Sequence, residues 1–160
     1  MSGRIVVGID GSDSAVDALR WAIEQAKITG ATVEAVYAWD PGALASLGVP
    51  PMVDWEPLRE AAQARPAEIV RKAVGSKPGV RIVTKTVTGN AAEVLVDRSA
   101  QADLLVVGSR GLGGLKGMLL GSVGHHCAAH SHCPVVIVHP SPVPEPHHPK
   151  RETLHAHTAL

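Results

Sequence analysis

Leu104-Leu-Val-Val-Gly-Ser-Arg-Gly-Leu-Gly-Gly-Leu-Lys-Gly-Met-Leu-Leu-Gly-Ser122 is the stretch on which the fold turns. Its first four residues form a short apolar run, the pattern of a strand buried on both faces. That strand delivers the chain to Gly108, and Ser122 opens a helical pattern running to about His130. A buried strand that passes through a glycine-rich loop into a helix is one unit of an open parallel sheet. Ligands of such sheets bind beyond the carboxyl ends of the strands, where the winding reverses. The loop has the chemistry of an anion site. Glycines let backbone N–H groups approach an anion closely, and a helix N-terminus adds free N–H groups and a favourable dipole. Ser122 contributes a hydroxyl, and Arg110 and Lys116 contribute positive charge. Together these residues predict a phosphate cradle.

The same strand-then-helix unit recurs on both sides of the loop. Arg4 to Asp10 reads as a buried strand that stops at the turn cluster Asp10-Gly-Ser12. Ser14 with Asp17 resembles a capping box, Val16, Leu19, Ile23 and Ala26 follow at helical spacing, and Gly30 is placed to end the helix. Thr32 to Ala38 is the next strand. Asp40 to Pro57 reads as a long loop, rich in Gly and Pro and flanked by Trp39 and Trp55. A helix from Pro57 to about Val74 is expected to kink or split at Pro66, which lacks an N–H to donate. A strand over Arg81 to Val87 follows, then a helix capped by Asn90 with Glu93 completing the box, Val94 and Leu95 facing inward, ending near Ser99. Pro134 to Val138 is the last strand. Five strands alternating with helices predict an α/β, doubly wound, open parallel sheet with helices on both faces.

The composition suits that fold and narrows the partners. The 160 residues are 45% hydrophobic, enough for one domain with an ample core. There is no Phe, and Tyr37, Trp21, Trp39 and Trp55 are the only other aromatics, so the core is aliphatic. Fifteen basic residues balance fifteen acidic ones, which leaves no global field for nucleic acid or anionic lipid. No run is apolar enough for a membrane span, and Arg4 to Asp10 is too short and too soon charged for a signal peptide, so a cytoplasmic location is expected. Beyond His139, Pro140, Pro142, Pro144, Pro146 and Pro149 alternate with polar residues and further histidines. The expected division is a domain over residues 1–140 and an extended or disordered tail over 141–160.

Two common phosphate loops do not fit. A Walker A loop ends in Gly-Lys-Ser/Thr, whereas Leu120 precedes Gly121-Ser122. A dinucleotide fingerprint needs glycine where Lys116 stands, and it follows the first strand, not the fourth. What does fit is Gly108, two residues, Gly111, nine residues, then Gly121-Ser122. That spacing resembles the ATP-binding motif of the universal stress protein family. Ile5-Val-Val-Gly-Ile-Asp-Gly-Ser12 is similar to the family's first strand and turn, Gly89-Asn-Ala-Ala-Glu93 to its loop before the third helix, and Cys133-Pro-Val-Val-Ile-Val138 to its last strand.

The resemblance covers roughly residues 2 to 140 and implies a five-stranded sheet in the order 3-2-1-4-5, Rossmann-like. It further implies that Asp10 and the backbone near Ala38 hold adenine and ribose. Gly108, Ser109, Arg110, Gly111, Gly121, Ser122 and Val123 would then hold the phosphates of ATP, with Mg²⁺ bridging them. Ala91 stands where the family often has proline. A regulatory role in stress response follows from the resemblance, as does a homodimer formed through Val135 to Val138, whose apolar edge is of the kind that something covers.

Three readings compete with ATP binding in a regulatory protein. AMP or cyclic AMP is an alternative ligand. An ATPase or phosphotransferase would need a group to position the attacking oxygen, for which only His125 or His126 is near. An adenylating enzyme would need a Ser-Gly-Gly-x-Asp-Ser turn, of which Asp10-Gly-Ser-Asp-Ser14 reproduces only the ending. His125, His126, Cys127, His130, His132 and Cys133 match no standard zinc spacing, so no metal centre is expected, nor do two cysteines make a disulfide framework.

Overall fold

The computed structural model describes residues 3–112, apart from 49, 51 and 53, together with residues 120–140. The elements follow in the order β1 (Arg4–Gly8), α1 (Asp13–Thr29), β2 (Thr32–Trp39), α2 (Pro41–Ser46), α3 (Glu56–Val74), β3 (Ile82–Thr88), α4 (Ala91–Ser99), β4 (Leu104–Gly108), α5 (Ser122–His130) and β5 (Val135–Val138). The five strands form one parallel sheet in the order β3-β2-β1-β4-β5. The doubly wound α/β fold and its strand order are therefore as expected. Residues 113–119 of the glycine-rich stretch, Lys116 among them, lie outside the described residues, as does the tail over 141–160.

Side-chain alternation along the strands makes two cores. Ile5, Val7, Val33, Ala35 and Val106 point to one face, where α1 and α3 cover them through Ala18, Leu19, Ala22 and Ile69. Val6, Val36, Leu105 and Val107 point to the other, beneath Val94 and Leu95 of α4 and Cys127 of α5. The register aligns Val6 with Glu34 on β2 and Leu105 on β4, so Glu34 falls on a buried face. Its carboxylate is satisfied by Arg4 Nη1 at 3.3 Å and Arg98 Nη1 at 3.2 Å. A buried charge is tolerated only when paired in this way.

Four local expectations change. Ser12, not Ser14, caps α1, its hydroxyl accepting from the N–H of Ala15, while Ser14 is buried inside the helix. The long loop contains α2, started by Asp40 accepting from Gly42 and Ala43 and by Pro41 at the first position. Helix α3 runs unbroken through Pro66, which lies buried in it. Burial of Ala62, Pro66 and Ile69 against the sheet outweighs the one lost hydrogen bond. Asn90 caps α4 by accepting from Ala92 N–H, and no return bond from Glu93 is formed. Gly30 ends α1 in the left-handed region (φ 72°), as expected.

Candidate functional site

The site lies where the winding reverses, between the carboxyl ends of β1 and β4. Beyond β1 the chain turns at Asp10, and its carboxylate organises the turn. Oδ1 accepts from the Ser12 N–H (2.8 Å) and hydroxyl (2.6 Å), and Oδ2 accepts from the Leu112 N–H (3.0 Å). Asp10 therefore ties the first turn to the near end of the glycine-rich loop. Gly111 permits the approach, since a Cβ there would stand 2.8 Å from Asp10 Oδ2.

Beyond β4 the loop is clamped from three sides. The Ser109 N–H donates to Val138 O (2.8 Å), and the Gly121 N–H donates to Ser109 O (2.7 Å). Ser14 of α1 accepts from the Arg110 N–H (3.4 Å). Gly108 is dictated by packing, because a Cβ would meet the Ser14 hydroxyl at 2.5 Å and its carbonyl carbon and oxygen at 2.8 Å. Gly121 is different. Its φ of −76° suits any residue, and a Cβ would find Ser109 O no closer than 3.6 Å. Nothing among the described residues demands glycine there.

These elements enclose a cavity of about 470 Å³, within the range of small-molecule sites. Asp10, Ala38, Gly108, Ser109, Arg110, Gly111, Gly121, Ser122 and Val123, singled out from the sequence, all line it, and so does Ala91. The cavity has two ends of different character. Ile9, Val36, Leu95 and Val107 make an apolar floor that the sequence reading missed. Ile9, Val36 and Val107 belong to, or directly follow, apolar runs leading to the site, and Leu95 was expected to face inward, but only the packed sheet and helix bring the four to one cavity. At the other end α5 begins with Gly121 as an N-cap that has no side chain. Its first bond is from the His125 N–H to Gly121 O, so the N–H groups of Ser122, Val123 and Gly124 have no helical partner. α1, α2 and α4, in contrast, are capped by Ser12, Asp40 and Asn90. The Ser109 hydroxyl is fully buried at the cavity wall without a hydrogen-bond partner among the described residues.

Trp39 and Trp55 are only half-buried, and neither lines the cavity. His125 is exposed on α5 and lies outside the lining. Both cysteines are free. Burial alone pushes the Cys127 thiol up to about 11, and chiefly burial raises that of Cys133. Among the described residues no helix is long and apolar enough to cross a membrane, and no three His, Cys, Asp or Glu side chains are grouped to hold a metal ion.

Comparison with known proteins agrees with this geometry. The sequence model of the Universal stress protein family matches residues 1–139. Universal stress protein MJ0531 of Methanocaldococcus jannaschii is 34% identical over 139 residues, covering 84% of this chain and 81% of that protein. Universal stress protein Rv2623 of Mycobacterium tuberculosis is also 34% identical, but the match spans only 45% of its length. Among solved structures, a universal stress protein in complex with cAMP is 31% identical, with a TM-score of 0.63 over 87% of this chain and 98% of its own. The hypothetical protein MJ0577 reaches a TM-score of 0.71 over 89% of this chain and 99% of its own, at 23% identity, and shows the shared fold. With the sheet order, the loop spacing and these matches in agreement, the chain belongs to the universal stress protein family.

Proposed function

We propose that the protein is an ATP-binding regulator of stress response, acting in the cytoplasm as a homodimer, with its nucleotide domain in residues 1–140 and an appended tail in 141–160. The observation that carries this reading is the uncapped N-terminus of α5, which opens onto a cavity with an apolar floor. N–H groups without a helical partner and the helix dipole suit phosphate, and the floor suits a base. Asp10 and the backbone at Ala38 take adenine and ribose. Gly108, Ser109, Arg110, Gly111, Gly121, Ser122 and Val123 take the phosphates, and Gly121 is glycine for the ligand's sake. Mg²⁺ fits a site without a protein cage, because it keeps several waters and binds through substrate phosphates. Bound nucleotide then stabilises a conformation that a partner protein recognises.

The edges of the sheet support the dimer. β3 carries the exposed Lys85, a charge of the kind that discourages edge pairing, whereas Val135 to Val138 carry none. Pro134 O accepts from Leu105 of β4 and Val138 O from Ser109 just beyond it, so in a parallel ladder Val135 and Ile137 aim their backbone groups at the open side. Cyclic AMP is the second reading, favoured by the relative solved with it.

Thermal unfolding against ATP, ADP, AMP and cyclic AMP, each with Mg²⁺, tests the proposal. A ligand at a hundred times its Kd adds about 2.7 kcal/mol. ATP is expected to give the largest shift, and Gly121→Glu, which sets a carboxylate against the phosphates, to abolish it. No response of the wild-type chain to millimolar Mg-ATP would refute the proposal, and a larger response to cyclic AMP would transfer it to that ligand.

A further inference from the structure

Six histidine and cysteine side chains between His125 and Cys133 match no zinc spacing in sequence, yet α5 brings two of them together. His126 and His130 are four residues apart, on successive turns of one helix face. Their ring centroids are 4.5 Å apart and the planes are tilted by 45°. Neither ring takes part in a hydrogen bond or ion pair among the described residues. His126 is half-buried and His130 exposed, so solvent reaches the pair, while Gly124 and Cys127 hold the helix against the core.

A neutral imidazole bound at about 2.0–2.1 Å sets its ring centroid about 3.2 Å from the metal. Two such rings sharing an ion have centroids about 4.5 Å apart at a right angle and about 5.2 Å apart at the tetrahedral angle. The observed 4.5 Å brings both rings within reach of one ion after rotation about the side-chain torsions. Imidazole suits several divalent transition metals, and Cu²⁺ stands highest in the affinity order. We propose that His126 and His130 form a solvent-facing two-imidazole chelate for a divalent transition-metal ion, Cu²⁺ foremost, with water completing the coordination. The site is separate from the nucleotide cavity, since neither histidine lines it.

The chain has nine histidines, so copper stoichiometry alone does not locate the site. The test is a Cu²⁺ titration of the full chain at pH 7.4, read by thermal unfolding and by electron paramagnetic resonance. Cu²⁺ is expected to raise the melting temperature of the wild type. His126→Ala and His130→Ala should each lose that gain, raise the half-saturating Cu²⁺ concentration by about a hundredfold through loss of the chelate, and reduce the number of coordinated nitrogens. His126→Gln and His130→Gln should behave alike, separating lost ligation from lost packing. His125→Ala, on the neighbouring face, should keep the wild-type response. The proposal is overturned if Cu²⁺ leaves the wild-type melting temperature unchanged, if His126→Ala and His130→Ala respond as the wild type does, or if His125→Ala loses as much as either.

Discussion

Glycines 108 and 121 bracket the loop, and substituting each by alanine separates what the fold requires from what a ligand requires. At Gly108 the added methyl would meet the Ser14 hydroxyl at 2.5 Å and its carbonyl atoms at 2.8 Å. A serine hydroxyl can rotate aside, but a carbonyl inside α1 cannot move without shifting the helix against β4. Overpacking costs roughly 1–3 kcal/mol, and backbone contact puts Gly108→Ala near the top, about 3 kcal/mol. For a chain of this size, that lowers Tm by about 6–12 °C. At Gly121 the methyl finds its nearest neighbours at 3.6 and 3.7 Å, with φ already at −76°. Loss of backbone freedom in the unfolded chain and the poorer N-cap oppose each other, so Gly121→Ala should change stability by less than about 1 kcal/mol. The same methyl lies 4.0 Å from the Gly111 nitrogen, over the loop where phosphates are proposed to sit, so Mg-ATP binding should weaken. Urea unfolding gives the two stabilities, and calorimetric titration gives the two affinities. If Gly121→Ala destabilises as much as Gly108→Ala, or binds Mg-ATP like the wild type, the assignment of Gly121 to the ligand is wrong.

Other expectations concern the ion pairs, the cysteine and the free edge. Arg4→Ala and Arg98→Ala each leave Glu34 one partner, so each should cost about 1 kcal/mol, whereas the double variant strands a buried carboxylate and should cost about 3–5 kcal/mol; additive costs in chemical denaturation would refute the shared-carboxylate reading. Cys127 has a folded pKa of about 11 against an ordinary 9.0, so the folded state holds its proton where the unfolded state releases it. Its stabilising contribution is full below pH 9 and is lost as pH rises through about 11, and Cys127→Ala should show a shallower alkaline decline in Tm. Ile137→Pro removes a donor from the side of β5 opposite β4, which an edge strand tolerates. It should yield monomers by sedimentation without loss of the fold, and an unchanged dimer would place the interface elsewhere.

The sequence by itself carried the fold class, because buried strands alternating with helices admit few arrangements other than a parallel sheet. It also carried the loop, because spacing between glycines survives as spacing between backbone groups: Gly108, Gly111 and Gly121 line one cavity, as do Asp10 and Ala38, which the family resemblance had pointed to. Helix ends read less well. Ser14 has the right chemistry for a cap, but Ser12 has the extended backbone that a cap needs, and packing of Ser14 against β4 decided between them. Pro66 reads as a break, yet its burial between Ala62 and Ile69 keeps α3 continuous. Only the tertiary structure placed Glu34 on a buried face between Arg4 and Arg98, distinguished the glycine that packing demands from the one it does not, and set two histidine rings 4.5 Å apart. The reason is physical. Periodicity and turn chemistry act between neighbours in the chain, and a sequence states them directly. Close approach, burial and convergence arise from register and crossing of distant segments, which exist only once the sheet and its helices have packed.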